Sequence, residues 1–518
     1  MYSTKDETTP SASHPPLRSK GEYYDRPFNI RPICFWAFFV ALTIVACLGG
    51  VVVVGVYFVV LIGLFVGAQF LKSRDKVLTF FGTSRINFIV TIALCLIVAF
   101  SFAMTTLSYT NQKSFAGFND LSGVVERHSI KEDGSGWFIL RNAKFGSARV
   151  SGKVMVYFND PVENVISTHR VTLETTLNRA SANDWNINNG IKYTANLRAR
   201  DSVEAVGRDR SLRSGVLRYS QSFLRRHMST RNADLMFAML FGDRSTLDGD
   251  LNDSFSLTGI AHVLAVSGLH VGILVGMLML VLKRVSRKRQ LPIIASVLLV
   301  YCYLCGFRYS ILRASIMFMV FIVRRAFLKS NDMLTSISLS AILILILFPY
   351  SLLSASFQFS FACMLGIALF NLPFMNLFKK LPKWLARALS MYCATFLACL
   401  PLMIRYFGFV SLLGAVTNVL FLPLMCLAFQ VCFVALFTWI PFPLLYIVNI
   451  ALDAIISTTH WLASLPFSHI TVSGGGCWFL LYFVGLIFTT RFIFLRKRYK
   501  YSIATVFIMV YALTLILV

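Results

Sequence analysis

Hydrophobic residues form two long blocks in this chain, separated by a polar stretch. The first block, residues 33–71, contains no charged side chain, and Gly49 and Gly50 divide it near its middle. A further apolar segment follows at residues 87–107. Because one crossing of a bilayer takes about 20 apolar residues, residues 33–107 predict three transmembrane helices, the first two of them in a hairpin.

Residues 108–205 show a different pattern, in which apolar and polar positions alternate. The segments LSGVVERHSI, GWFILRNAKF and ARVSGKVMVYF have this period of two, with glycine-containing turns between them. Such alternation is typical of short strands with one buried face. We therefore predict a small β-barrel here, followed by a basic helical connector over residues 206–258.

The second apolar block, residues 259–518, is interrupted by basic loops that follow alternate predicted spans, at residues 283–289, 324–329, 379–387 and 496–500. Cytoplasmic loops collect Lys and Arg, so these loops are expected inside, together with a disordered tail at residues 1–32. Residues 108–258 are then extracytoplasmic. The predicted fold class is a polytopic α-helical membrane protein with a small extracytoplasmic β-barrel.

The number of spans is about a dozen at 20 residues each. The count stays open between residues 408 and 474, because Pro423, Pro441 and Pro443 allow short or re-entrant helices there.

Composition adds a strong positive charge to this picture. The net charge is +26, from 49 Lys and Arg against 23 Asp and Glu. The positive-inside rule accounts for such an excess, and an anionic partner such as nucleic acid is the alternative. Nine arginines lie between positions 198 and 231, on either a solvated helix face or a phosphate-binding surface. The candidate DNA-binding residues among them are Arg198, Arg200, Arg208, Arg210 and Arg213.

Common enzyme signatures are absent from the sequence. It contains no phosphate-binding P-loop, no HExxH motif and no dense histidine cluster, and none of its 11 cysteines falls between Ser108 and Thr258. We therefore expect no cofactor, no metal site, no catalytic residue and no disulfide framework in the polar stretch. The protein is expected not to be an enzyme.

One apolar segment carries unusual polar residues. The stretch GIAHVLAVSGLHVGIL, residues 259–274, contains two histidines and a Ser-Gly pair. Ser267 and His270 share one helix face, so a hydrolytic dyad, an interhelical hydrogen bond and the polar lining of a pathway are all open. Polar residues accumulate in the following spans, which favours a pathway. Its candidate residues are His262, Ser267, Gly268, His270, Arg308, Arg313, Gln358, Ser360 and Asn418.

These motifs together resemble the ComEC family of bacterial competence proteins. The shared segments are FGDRSTLDGDLNDSFSLTGIAHVLAVSGLHVGIL, ILRASIMFM and SFQFSFACMLG, with Ser356 standing where glycine is usual, and Asn418 and Pro423 match a later Asn-x-x-x-x-Pro. The resemblance covers residues 240–466. It implies that residues 259–518 form a competence-type transmembrane channel domain in a bacterial cytoplasmic (inner) membrane. The strand region, residues 108–205, resembles the family's outer OB-like domain.

What the resemblance implies is a channel that imports single-stranded DNA across the cytoplasmic membrane during natural transformation. Asp243 and Arg244 would then sit at the outer entrance as a candidate charge pair. Four aromatic residues of the strand region are candidates for either base stacking or barrel core: Trp137, Phe138, Tyr157 and Phe158. A separate cytoplasmic ATPase, a DNA receptor and a nuclease are expected partners beside the lipid bilayer, and a homo-oligomer is left open.

Many members of the family carry a metallo-β-lactamase-like domain, whose metal site the histidines of this sequence cannot supply. Degradation of the second strand is therefore expected from another protein. Three other interpretations stay open: a transporter of another solute, an intramembrane Ser/His hydrolase, and a degenerate family member with a structural role. The arginine-rich segment favours DNA, and the lack of a third catalytic group disfavours the hydrolase.

Overall fold

The computed structural model describes residues 32–70, 85–115, 117–130, 134–159, 169–181, 183–197, 203–264, 266–327, 333–438, 443–472 and 482. Several sequence predictions fall outside these residues. They are the N-terminal tail, the last basic loop and the side chains of Arg198 and Arg200.

The first three helices are α1 (Pro32–Leu48), α2 (Val51–Phe70) and α3 (Arg85–Thr110). Gly50 adopts a φ of 88° between α1 and α2, a left-handed conformation that favours glycine and allows the tight hairpin. The Ile44 side chain of α1 and Val98 of α3 are fully buried in one cluster. The predicted hairpin and third helix are present, with α3 extending to Thr110.

A closed β-barrel follows. Its strands are β1 (Phe118–Ile130), β2 (Gly136–Phe145), β3 (Ala148–Arg149), β4 (Lys153–Phe158), β5 (His169–Arg179), β6 (Ile191–Asn196) and β7 (Glu204–Arg208), with the short helix α4 (Asp184–Asn189) before β6. The order β1-β2-β4-β6-β5 closes through pairing of β5 with β1, and only β4 and β6 are parallel among these five strands. The predicted small β-barrel is confirmed.

The barrel core comes from the alternating positions of its strands. Phe138, Leu140 and Val156 are fully buried, whereas Tyr157 of β4 and Glu174 and Thr176 of β5, at intervening positions, are exposed. Strand β7 pairs with β5 and ends at Arg208, so the sheet reaches beyond the predicted domain boundary at residue 205.

The predicted connector consists of α5 (Leu212–His227), α6 (Thr230–Phe241) and α7 (Gly249–Leu257). In α6 every residue from Asn232 to Phe241 is buried. These side chains form one hydrophobic cluster with residues of α14 (Gly414–Thr438) and α15 (Leu444–Ala463). The boundary expected at residue 259 is therefore no structural boundary, because α6 belongs to the core of the helical domain.

The other helices of this domain are α8 (Gly268–Val281), α9 (Arg287–Leu304), α10 (Tyr309–Phe327), α11 (Met333–Leu347), α12 (Ala355–Leu377) and α13 (Lys383–Phe407). The strands β8 (Phe409–Ser411) and β9 (His469–Thr471) form a separate pair.

Among the described residues, five helices are long and apolar enough to cross a membrane: Asn87–Thr110, Ala355–Leu377, Lys383–Phe407, Gly414–Thr438 and Leu444–Ala463. Pro423 lies inside α14 without ending it. The polytopic helical fold class is confirmed, while the count of a dozen stays a prediction.

Candidate functional site

The polar motif of the second block forms a loop and the start of α8. A 3-10 turn at Ala261–Val263 precedes Ser267, which is the N-cap of α8. The Ser267 backbone N–H donates to Nδ1 of His270 (3.2 Å), and the Leu269 N–H donates to Oγ of Ser267 (3.3 Å). This reciprocal capping box satisfies donors that a helix start would leave unpaired. The loop from Gly259 to Ser267, called the motif loop below, therefore has a defined end.

The two histidines of the motif differ in accessibility. His270 is 1% exposed, and its ring packs against Phe429 of α14 with centroids 4.8 Å apart. Because its Nδ1 accepts a backbone N–H, the proton of the neutral ring lies on Nε2. His262, beside the backbone of Gly259, is exposed and within electrostatic range of His270. Of the two imidazoles, His262 is the one a passing molecule can reach.

Glycines of α8 allow close packing against α10. A Cβ at Gly268 would lie 3.8 Å from the Cβ of Ala314, and one at Gly272 would lie 2.8 Å from Cζ of Phe318. Small residues four apart bring membrane helices together in this way. The motif glycines thus place the motif loop directly beside α10.

Helix α14 holds the other side of the motif loop. Gly259 has a φ of 80°, and a Cβ there would lie 3.1 Å from the Cα of Gly414. The Asn418 amide donates to the carbonyls of Gly259 (3.3 Å) and Gly414 (2.6 Å). Asn418 therefore positions the backbone of the motif loop.

Three further candidates lie on α10 and α12. Arg313 is 2% exposed and donates to the hydroxyl of Ser356. The Gln358 amide donates to the Leu352 carbonyl (3.1 Å) and accepts from the Tyr406 hydroxyl (3.1 Å). Ser360 is half-buried on α12. Arg313 thus contacts α12 through Ser356, whereas Gln358 contacts the turn before α12 and Tyr406 of α13.

The side chains of Asp243 and Arg244 form hydrogen bonds with different partners. Oδ1 of Asp243 accepts the Ser245 N–H (3.2 Å), whereas Nε of Arg244 donates to the Leu264 carbonyl (3.2 Å). Among the residues that the structure describes, no ion pair joins the two side chains. The charge pair expected from their sequence neighbourhood is not formed, because Arg244 instead fastens the motif loop to the end of α6.

Charged residues of the barrel and of the helical domain meet near Asp243. This junction cluster comprises Glu126, Arg127 and Lys153 from the barrel and Arg213, Asp243 and Arg308 from the helical domain. Arg308 lies against Gly242, with Nη1 3.0 Å from where a Cβ would be. Four cations face two carboxylates, so the cluster carries net positive charge.

The barrel side of the cluster is electrostatically perturbed. Burial raises the pKa of the Glu126 carboxyl, but the charges of Lys153 and Arg127 outweigh it and bring that pKa below its ordinary value. Oε1 of Glu126 lies 2.9 Å from Nζ of Lys153. Burial lowers the pKa of His128, and the nearby Asp243 carboxylate opposes this shift. Alternation alone did not reveal these residues, since it does not identify which strand face meets another domain.

Several arginines of the basic segment make internal contacts. Nε of Arg213 donates to the Leu304 carbonyl (3.0 Å), and Nη1 of Arg218 donates to the Asp209 carbonyl (2.9 Å). Arg225 pairs with Asp234 at 2.9 Å. Arg210 is exposed, and only the backbone of Arg208 is described, in β7. Arg213 is thus a buried bridge to α9, and Arg210 is the accessible candidate among the described side chains.

The four barrel aromatics divide between core and surface. Phe138 and Phe158 are buried, whereas Tyr157 is 40% exposed and pairs across the strands with Trp137. Trp185 of α4, 45% exposed, packs edge-on against Trp137. These three residues form the outer aromatic patch of the barrel.

Fold and site together define a polytopic membrane protein whose β-barrel meets its helical domain through a positively charged junction. A family model described as "Competence protein" matches residues 239–513, and the chain belongs to this family. It is similar to ComE operon protein 3 of Bacillus subtilis (strain 168), with 28% identity over 215 residues. That match covers 41% of this chain and 27% of the relative. No solved structure matches the chain.

Proposed function

We propose that this protein forms a channel through which single-stranded DNA crosses the bacterial cytoplasmic membrane during natural transformation. The observation that carries the proposal is the junction cluster. It brings charged side chains of an OB-like barrel and of the helical domain within electrostatic range of one another, with an excess of cations. OB-type barrels commonly bind single strands, and a strand leaving the barrel needs cations that balance its phosphates.

The outer aromatic patch supports a strand-binding role for the barrel. Bases stack on aromatic side chains with little sequence preference, which suits a transporter of arbitrary DNA. Trp137, Tyr157 and Trp185 present such faces outside the barrel core. With residues 108–258 outside the cell membrane, as the basic loops indicate, this patch would meet the strand beside α4, which contacts Tyr109 of α3 and Tyr350, and Arg208 and Arg210 would contribute cations.

Beyond the junction, the strand would pass the motif loop. Arg308 would meet it first, next to Asp243 and Arg244 at the entrance. His262 has the exposed imidazole of the loop, while Ser267, His270 and Asn418 hold the loop in place. Gln358 and Ser360 would line the pathway further along, on α12. These roles require no tight binding site, which a translocating polymer must avoid.

The channel would depend on other proteins. The sequence contains no P-loop, so a separate cytoplasmic ATPase would supply the force, with a DNA receptor and a nuclease acting outside. Membership of the competence protein family and the similarity to ComE operon protein 3 support placing it in this machinery.

Internalisation of labelled duplex DNA by a gene-deletion strain tests the proposal. Label that resists external nuclease and is recovered from spheroplasts is scored, so that DNA bound outside does not count. We expect no internal label in the deletion strain and normal label after complementation with the wild-type gene. Equal internal label in deletion and wild-type strains would show that this protein is not the DNA route.

A further inference from the structure

The guanidinium of Arg313 lies in the protein interior, and no acidic side chain of the described residues forms an ion pair with it. It is 2% exposed, and its Nη2 donates to the Ser356 hydroxyl. Its Nε and Nη1 are buried and have no hydrogen-bond partner. The Phe357 ring, whose centroid is 5.9 Å from Cζ of Arg313, closes one side of the guanidinium. A single hydroxyl is thus the acceptor for a group with five N–H donors.

Such an arrangement is costly unless an anion completes it. A buried charge without a partner destabilises a protein by several kcal/mol, and intramembrane arginines face cavities or pair with acceptors. The sequence offers few anions for this purpose. From residue 259 onward it contains two acidic residues, Asp332 and Asp453.

Asp453 is not placed to compensate Arg313, and Asp332 lies outside the described residues. Asp453 lies on α15, where the Asn232 amide donates to it across 2.7 Å. Asp332 follows the far end of α10, beyond Phe327. Fourteen residues separate Arg313 from Phe327, which is about 21 Å at 1.5 Å per residue. None of the ion pairs among the described residues involves Arg313, so its charge is left for an anion from outside the chain to complete.

We propose that Arg313 binds a backbone phosphodiester of the DNA strand during its passage, and that the structure shows this site closed. This inference rests on the proposed channel function. The contact between Arg313 and Ser356 joins α10 to α12 and holds the guanidinium while no strand is present. A phosphodiester is the stronger acceptor because charge-assisted hydrogen bonds are about twice as strong as neutral ones.

The neighbouring groups fit a strand at this point. Ala314, next to Arg313, packs on Gly268 at the start of α8, so the site adjoins the motif loop. Phe357 stacks on Phe361 with centroids 4.2 Å apart, and an opened site would offer these rings to a base. Arg308 at the entrance and Arg313 in the interior would then act in succession along α10.

Salt dependence of strand binding tests the inference in the purified full-length protein, kept in detergent without added phospholipid. A fluorescent 30-nucleotide strand is the probe, and log K is measured against log salt concentration. Each phosphate contact on a single strand contributes a slope of about −0.7. We expect Arg313→Gln to make the slope shallower by about 0.7 and to weaken binding about tenfold at low salt, with Arg313→Lys near wild type. Arg387→Gln, a matched loss of one exposed charge on α13, should leave the slope unchanged.

A second variant isolates the closing contact. Ser356→Ala frees the guanidinium, so it should tighten binding several-fold in the Arg313 protein and have no effect beside Arg313→Gln. Thermal melting checks that each variant is folded. If Arg313→Gln does not fold, the strand affinities of the Ser356→Ala and Arg313→Lys proteins test whether Arg313 binds a phosphate.

The outcomes separate this inference from the channel proposal. Import in vivo with an unchanged slope in Arg313→Gln and no effect of Ser356→Ala would overturn the role of Arg313 and leave the channel intact. Loss of co-purifying phospholipid in Arg313→Gln, without a change in slope, would assign the site to a lipid phosphate and also overturn it. A wild-type protein that neither binds strands nor imports DNA would defeat the channel proposal itself.

Discussion

The backbone N–H of Ser267 donates a hydrogen bond to Nδ1 of His270 across 3.2 Å, which makes the two residues a helix cap. The Ser267 hydroxyl also lies 3.3 Å from the same nitrogen. Because the backbone N–H already occupies that lone pair, His270 is poorly placed to deprotonate the hydroxyl through Nδ1. This geometry favours a structural role for the pair over the hydrolytic dyad.

Removing the Ser267 hydroxyl should affect stability more than function. Loss of an N-cap costs typically about 1 kcal/mol, so Ser267→Ala should melt at a lower temperature and still import DNA. Ser267→Thr keeps the cap and should match wild type. Thermal melting and DNA internalisation at equal protein level measure both effects. Abolished import in a fully stable Ser267→Ala protein would instead support a chemical role for the hydroxyl.

Arg308 should matter for transport through its charge. Its guanidinium borders Gly242 in the junction cluster, where the strand is expected to enter. We expect Arg308→Gln to reduce DNA internalisation about tenfold or more and Arg308→Lys to retain most of it, since a phosphate contact needs a cation. Arg387→Gln is the control. If the Arg308→Gln and Arg387→Gln strains both import DNA at the wild-type level, Arg308 does not contact the entering strand.

The outer aromatic patch should contribute to strand affinity. Stacking of one base on an aromatic ring is worth about 1–3 kcal/mol, so Trp137→Ala should weaken single-strand binding by the purified protein at least fivefold. Trp461→Ala removes a ring from α15 that is 62% exposed, more than the half-buried Trp137, and should have no effect. Phe138→Ala should instead destabilise the barrel, by about 3–5 kcal/mol. Strand affinity is measured by fluorescence anisotropy. Equal affinities of the Trp137→Ala and Trp461→Ala proteins would exclude the patch as a binding surface.

The Glu126–Lys153 pair should make barrel stability depend on pH. Because the pKa of Glu126 is lowered from the model-compound value of 4.5, its contribution is complete above pH 4.5 and disappears as pH falls through the lower folded-state pKa. In Lys153→Met the buried carboxylate loses its partner, at a cost of about 3–5 kcal/mol at neutral pH. Acid should relieve that cost by protonating Glu126.

Melting temperatures between pH 7 and pH 3 measure this effect. The difference in melting temperature between wild type and Lys153→Met should shrink as the pH falls. Lys144→Met, at an exposed position of β2, is the control and should melt like wild type at every pH. A difference independent of pH would show that packing rather than charge explains the Lys153→Met loss.

Packing of α8 against α10 should depend on Gly272 and not on Gly276. A Cβ at Gly272 would lie 2.8 Å from the Phe318 ring, whereas nothing lies within 4 Å of one at Gly276. Overpacking costs about 1–3 kcal/mol, so Gly272→Ala should lower the melting temperature and Gly276→Ala should not. Phe318→Leu should restore stability to Gly272→Ala. Equal effects of the two alanine variants would contradict this helix contact.

Periodicity predicted the parts of the fold that depend on local pattern. The hairpin at Gly50 and the alternating strands of the barrel both follow from spacing of apolar residues. The extent of the helical domain did not, because α6 has a short and partly polar sequence whose burial depends on α14 and α15.

The motif residues were identifiable from their chemistry, but their roles were not. Spacing placed Ser267 beside His270 without indicating that a backbone N–H takes the ring nitrogen. Glu126 and Arg127 were missed because their importance arises from contact between distant segments, as with Arg308 and the barrel. The run of arginines overstated the free charge, since Arg213 and Arg218 bond to carbonyl groups inside the protein.

Cross-linking of DNA in transit to position 262 tests the central claim most directly. A photo-reactive amino acid replaces His262 in one strain and Tyr446, exposed on α15, in another, and cells are irradiated while they take up labelled DNA. We predict a covalent adduct with labelled single-stranded DNA at position 262 and none at position 446. Import of label at the normal rate with no adduct at position 262, or equal adducts at both positions, would contradict a DNA pathway along the motif loop.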